Sequence, residues 1–177
     1  MRRKSSKAIE TIDLIINHLT AARIYETYNY RSRTEFYMKG PINEALRLAL
    51  QDLFRRRHPD YLERTIVRKA KKSLTWEGNV SKSVIPTKLF GVTHRPDFSI
   101  EIDSMCIATE IKCHDSAAAF RSGLGQALVY STDYDFVIYL LIDTSPDSVI
   151  AQSAENEAED ALIQMLWNDH NIRFVIV

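Results

Sequence analysis

The sequence predicts a single α/β domain in which a mixed central β-sheet is flanked by helices, and three observations point to it. "RPDFSIEID" alternates apolar and polar residues with the period of a half-buried strand. "FVIYLLID" is continuously apolar, as expected of a strand covered on both faces. Segments with helical spacing precede, separate and follow these strands, so the elements run in the order α, α, β, β, β, α, β, α, β.

Residues 8–30 carry Ile9, Ile12, Ile16, Leu19, Ile24 and Tyr28 at mostly helical spacing, which predicts an N-terminal helix with a break near Thr20. The clearest helix follows: Gly40-Pro41 precedes Ile42, Leu46, Ala49, Leu50 and Leu53 on one face, and His58-Pro59 closes it. From Tyr61 to Gly91 no period is sustained, and one strand is expected within residues 82–92. A turn at Asp103-Ser104 joins the alternating strand to "MCIATEIK" as an antiparallel hairpin. An Ala-rich helix spans about Ser116 to Ser131, with Gly123 and Gly125 as points of close backbone approach. An acidic helix over residues 148–170 and the strand "IRFVIV" complete the chain. Residues 1–37 thus form a helical extension, 41–143 a core, and 144–177 a C-terminal helix and strand, all in one domain of 177 residues.

The net charge is zero, but 17 Lys/Arg stand against 8 Asp/Glu in residues 1–72, and 6 against 15 in residues 73–177. The N-terminal part could therefore face a polyanion. Glu10, Asp13, Asn17 and His18 interrupt the apolar body that follows the basic start, which argues against a signal peptide. No apolar run approaches the roughly 20 residues that span a bilayer, so no membrane partner is expected. Cys106 and Cys113 on one strand would be about 23 Å apart at roughly 3.3 Å per residue, too far for a disulfide. Reduced thiols fit a cytoplasmic protein.

Chemistry concentrates at the open end of the hairpin. Asp97 begins one strand while Glu110 and Lys112, two positions apart and hence on one face, end its neighbour. Two carboxylates with the Ile111 backbone carbonyl make a hard oxygen donor set suited to Mg²⁺ or Mn²⁺, and an ammonium beside it suits phosphoryl chemistry. A solvated charge ladder is the alternative reading of these residues. Gln126 and Tyr130, four apart on a helix, can point together at this end or serve as ordinary amphipathic packing. His114 and Arg121 are either phosphate contacts or surface residues. The basic runs at 55–58 and 68–72, with Tyr61 and Trp76 interleaved, follow a phosphate backbone if they flank the cleft and are solvated surface if they lie behind the sheet.

Pro96-Asp97 followed by Glu110-Ile111-Lys112 resembles the PD-(D/E)XK nucleases of the restriction-endonuclease-like superfamily. "QALVY", Gln126 to Tyr130, is similar to the Gln-x-x-x-Tyr motif of its RecB-like members. The resemblance implies an α-β-β-β-α-β core over residues 42–142 and hydrolysis of phosphodiesters, in DNA rather than RNA, with Mg²⁺ or Mn²⁺. It further implies Asp97 and Glu110 as metal ligands and Lys112 as the catalytic lysine. It suggests Glu44 as an additional ligand, whereas the helical projection places Glu44 beside Arg47 as a surface ion pair. It is also compatible with a homodimer or a subunit of a larger nuclease complex. A catalytically inactive nucleic-acid-binding or assembly module on the same scaffold is the alternative function.

Overall fold

The computed structural model describes residues 4–28, 34–78, 82–154 and 156–177. Its centre is a five-stranded mixed sheet made of β1 (Leu74–Trp76), β4 (Phe98–Ile102), β5 (Met105–His114), β6 (Phe136–Asp143) and β7 (Ile172–Ile176), in the order β1-β4-β5-β6-β7. Strand β4 runs antiparallel to both its neighbours, β1 and β5, and β6 and β7 continue parallel to β5. A separate ribbon pairs β2 (Thr87–Leu89) with β3 (Val92–His94). The strand expected within 82–92 is thus β2, outside the main sheet.

Helix α1 (Ser6–Leu19) starts where the Ser5 hydroxyl accepts the Ala8 N–H at 3.2 Å, and it stops at Thr20, after which α2 (Ala22–Tyr28) begins. Helix α3 runs over Glu35–Arg57, so it starts six residues before Pro41. A proline inside a helix removes one donor. Met38 and Ile42, one turn apart on either side of it and both fully buried, tie the early turn into the core. The expected extension and core are therefore joined by one continuous helix.

Helix α4 (Glu63–Ser73) was not expected. It buries only Ile66 and Ala70, so its apolar signal is two residues deep in a basic segment. Helix α5 (Ala117–Tyr130) matches its expected span, capped by Ser116. The acidic C-terminal helix is divided into a 3₁₀ turn (Pro146–Ser148), α6 (Val149–Ser153) and α7 (Glu157–His170). Asn156, extended at φ −77° and ψ 151°, starts α7, and Glu157, Glu159 and Asp160 fill its first turn, where carboxylates favour a helix start.

Strand alternation divides the core between the two faces of the sheet. Phe98, Ile100, Ile107, Ile111, Phe136, Ile138, Leu140 and Ile142 pack in one cluster with residues of α1 and α3. Ala108, Val137, Tyr139 and Ile172 pack on the other face with Ala127 and Tyr130 of α5 and Leu166 of α7. All eight residues of β6 are buried, as expected of the strand central to both layers. No helix among the described residues is long and apolar enough to cross a membrane, and neither cysteine is in a disulfide.

Candidate active site at the open end of the hairpin

Pairing of β4 with β5 ends at Phe98↔Thr109, which leaves Asp97 facing Glu110 and Ile111. One oxygen of Asp97 (Oδ2) accepts the Ile111 N–H at 2.8 Å. In an antiparallel strand the N–H and C=O of one residue face the same neighbour, so the Ile111 carbonyl is turned to the side of Asp97. The other oxygen (Oδ1) lies 2.5 Å from Lys39 Nζ, contributed by α3. Glu110 Oε1 lies 2.7 Å from Lys112 Nζ. Glu35, in the first turn of α3, links the two pairs at 3.7 Å from Lys39 and 3.6 Å from Lys112. Glu77 follows β1, donates its N–H to the Asp97 carbonyl at 2.9 Å, and holds a carboxylate oxygen 3.7 Å from Lys39. Four carboxylates and two ammonium groups therefore form one linked cluster, with a formal excess of two negative charges.

Helix α5 presses on this cluster through a glycine. A Cβ at Gly123 would lie 2.7 Å from Lys112 Cγ and 2.5 Å from the Tyr139 hydroxyl, so only glycine allows the helix to lie this close. Gly125 has open space beside it and plays no such part. Tyr139 donates to the Phe120 carbonyl at 3.1 Å, fastening strand to helix beside Lys112. Tyr130 is fully buried and donates to the Arg95 carbonyl at 2.8 Å, which anchors the segment leading into Asp97. Gln126 lies one turn earlier, and its Oε1 is buried without a hydrogen-bond partner among the described residues.

Burial acts on the cluster first. Desolvation and then the charge of Asp97 push Glu110 up to about 7, against the pull of Lys112. For Lys112, burial works to lower its pKa, but Glu110, Glu35 and Asp97 outweigh it and hold the ammonium above its ordinary value. Lys39 behaves alike: burial opposes its charge, while Asp97, Glu35 and Glu77 together prevail. Burial, followed by the charges of Glu110 and Asp97, raises Tyr130 as well, so its hydroxyl remains a hydrogen-bond donor.

The structure thus brings Asp97, Glu110, Ile111 and Lys112 together, with Tyr130 of α5 beside them and Gln126 one turn away on the same helix. His114 and Arg121 are exposed at the rim. Glu44 lies nine residues beyond Glu35, about 13 Å along α3. It is bonded to Arg47 through both carboxylate oxygens and is half exposed. The carboxylate that α3 brings to the cluster is Glu35, and with it come Lys39 and Glu77, none of which sequence reasoning identified. The Glu35–Lys39 spacing of one helical turn was the available signal, and recognising it required starting the helix before Pro41.

Among the described residues no three His, Cys, Asp or Glu side chains converge as a ready-made ligand set. A divalent cation fits the donor chemistry in another way, with Asp97, Glu110 and the Ile111 carbonyl supplying hard oxygens and the cluster's two excess negative charges matching a dication. Lys39 occupies one oxygen of Asp97 as the present counter-charge. No protein-family model, curated protein or solved structure matches the chain significantly.

Proposed function

We propose that the protein is a metal-dependent nuclease that hydrolyses phosphodiester bonds, with DNA as its substrate. The observation that carries the reading is the buried Asp97 and Glu110 pair at one sheet end, with Lys112 Nζ 2.7 Å from Glu110. With α4 and the separate β2–β3 ribbon taken as insertions, α3, β1, β4, β5, α5 and β6 follow one another in the order expected of the restriction-endonuclease-like core, which supports the reading. Asp97, Glu110 and the Ile111 carbonyl would hold Mg²⁺ or Mn²⁺, which when bound supplies an activated water and screens the phosphate charge. Lys112, clamped between Glu110 and α5, keeps an ammonium where a phosphate oxygen or the attacking water would lie. The Tyr130 hydrogen bond to Arg95 and the Ile111 N–H bond to Asp97 fix Asp97, and Lys112 holds Glu110, before substrate arrives, so little reorganisation accompanies the reaction.

The test is incubation of the purified chain with linear, circular, single-stranded and duplex DNA in Mn²⁺. Cleavage by the wild type should fall by about 10² or more in Lys112→Ala. Absence of cleavage of every substrate, or equal cleavage by Lys112→Ala, contradicts the assignment. The hold of Lys39 on Asp97 favours a second reading, a nucleic-acid-binding module without catalysis, and that protein would bind DNA in the same assay and leave it intact.

A further inference from the structure

We propose that a basic groove between α3, α4 and the edge strand β1 is a track for a single strand of nucleic acid leading to the Asp97–Glu110 cluster. The groove encloses about 660 Å³ and is lined by Arg47, Arg68, Lys71, Lys72 and Lys82, with Trp76 as its large aromatic residue. Arg47 is neutralised by Glu44, and Lys82 lies 3.2 Å from Glu101. Arg68, Lys71 and Lys72 are exposed and have no acidic partner among the described residues. They stand at i, i+3 and i+4 on α4, where like charges repel one another and weaken the helix. Such a cluster is compensated by an external polyanion.

Position selects the polyanion. Resting on the nuclease reading, the choice of nucleic acid follows from how the groove meets the site. Lys39, Asn43 and Arg47 follow one another at single-turn spacing along α3. Lys39 touches Asp97 and Glu77, while Asn43 and Arg47 line the groove. Eight residues of helix span about 12 Å, so this row runs from the groove to the cluster along one face of α3. On the opposite wall, Trp76 lines the groove and immediately precedes Glu77 of the cluster, and its strand partner Phe98 immediately follows Asp97. The indole rests on Gly78, where a Cβ would lie 2.8 Å from the ring, and this holds the aromatic surface in the groove. Basic residues that follow a backbone beside an aromatic on which a base stacks are the means of single-strand recognition.

The other basic run does not contribute. Arg55 is bonded to Asp52 and Glu63, and Arg57 to Asp103, at the far end of α3.

The test is fluorescence anisotropy of a labelled oligothymidylate with the full chain in EDTA, where binding is read without cleavage. Arg68→Glu/Lys71→Glu/Lys72→Glu should weaken binding and flatten the dependence of log K on log salt by about 2, since each single-strand phosphate contact contributes roughly 0.7. Trp76→Ala should weaken binding about tenfold, Trp76→Phe should restore most of it, and wild-type tryptophan fluorescence should be quenched on binding. Melting monitored by circular dichroism confirms that each variant is folded, and the corresponding triple Gln variant, which leaves no new charge, should reproduce the flattened slope. Wild-type chain that fails to bind in EDTA, a salt slope unchanged in both triple variants, or tighter binding of duplex unaffected by Trp76→Ala overturns the proposal. Groove-dependent binding without cleavage in Mn²⁺ would refute the nuclease reading and leave the track intact.

Discussion

The two ends of the β4–β5 hairpin carry similar residues and differ in what surrounds them. At the turn, Asp103 pairs with Arg57, from the last turn of α3, and lies 3.2 Å from Lys7. The Asp103 side chain keeps 29% of its exposure and Lys7 keeps 57%. Cations match or outnumber anions there, and the Lys7 contact, open to water, contributes about 0–1 kcal/mol. At the open end, Asp97 and Glu110 keep only 6% and 3%, and carboxylates outnumber ammonium groups two to one. The two ends use the same residue types, but only the second buries its carboxylates and leaves their charge unbalanced. Unbalanced buried charge is costly unless it serves a ligand, which is why the open end is the candidate site.

That contrast breaks first on pH. An acid whose folded pKa lies above its unfolded value binds protons more tightly when folded, so its contribution is present at low pH and is lost as pH rises between the two values. Glu110 moves from 4.5 to about 7. Stability against urea should therefore decline from about pH 5 to pH 7, by up to about 3 kcal/mol, and Glu110→Gln should flatten the decline. Lys112 acts outside this window, because its raised pKa sets its loss in the alkaline range. Saturating Mg²⁺ should also flatten the slope by favouring ionised Glu110. A slope that is the same in wild type and Glu110→Gln would mean that the carboxyl is not buried as described.

A smaller effect separates the ends directly. Lys39→Met leaves Asp97 buried with only the Ile111 N–H and should cost about 2 kcal/mol in a urea melt. Lys7→Ala at the turn should cost less than about 1 kcal/mol. Equal costs would erase the distinction between the two ends.

Much of this arrangement is legible in the sequence where one period dominates. The β4–β5 hairpin, β6 and α5 are read correctly because alternation, continuous apolarity and Ala-rich composition each specify one answer there, and Asp97, Glu110 and Lys112 come with the hairpin. The start of α3 is not legible because Phe36 and Tyr37 are 75% and 59% exposed, so apolar residues sit on the solvent side and blur the helical period. Pro41 strengthens the wrong boundary. Helix α4 and β1 are not legible because two buried residues and a three-residue strand carry too little pattern. Glu35, Lys39 and Glu77 belong to those segments; the i, i+4 spacing of Glu35 and Lys39 is their one local trace, and their convergence on Asp97 and Glu110 is a tertiary fact. The acidic C-terminal segment reads as one helix because its charge is continuous across Asn156, where the extended backbone starts α7.

Titration calorimetry of Mn²⁺ into the metal-free chain near neutral pH tests the open end most directly. A saturable binding isotherm should appear for the wild type, with protons released as Glu110 ionises, and it should be lost in a folded Asp97→Asn variant. No binding heat in the wild type, or unchanged affinity in Asp97→Asn, would contradict a cation site at Asp97 and Glu110.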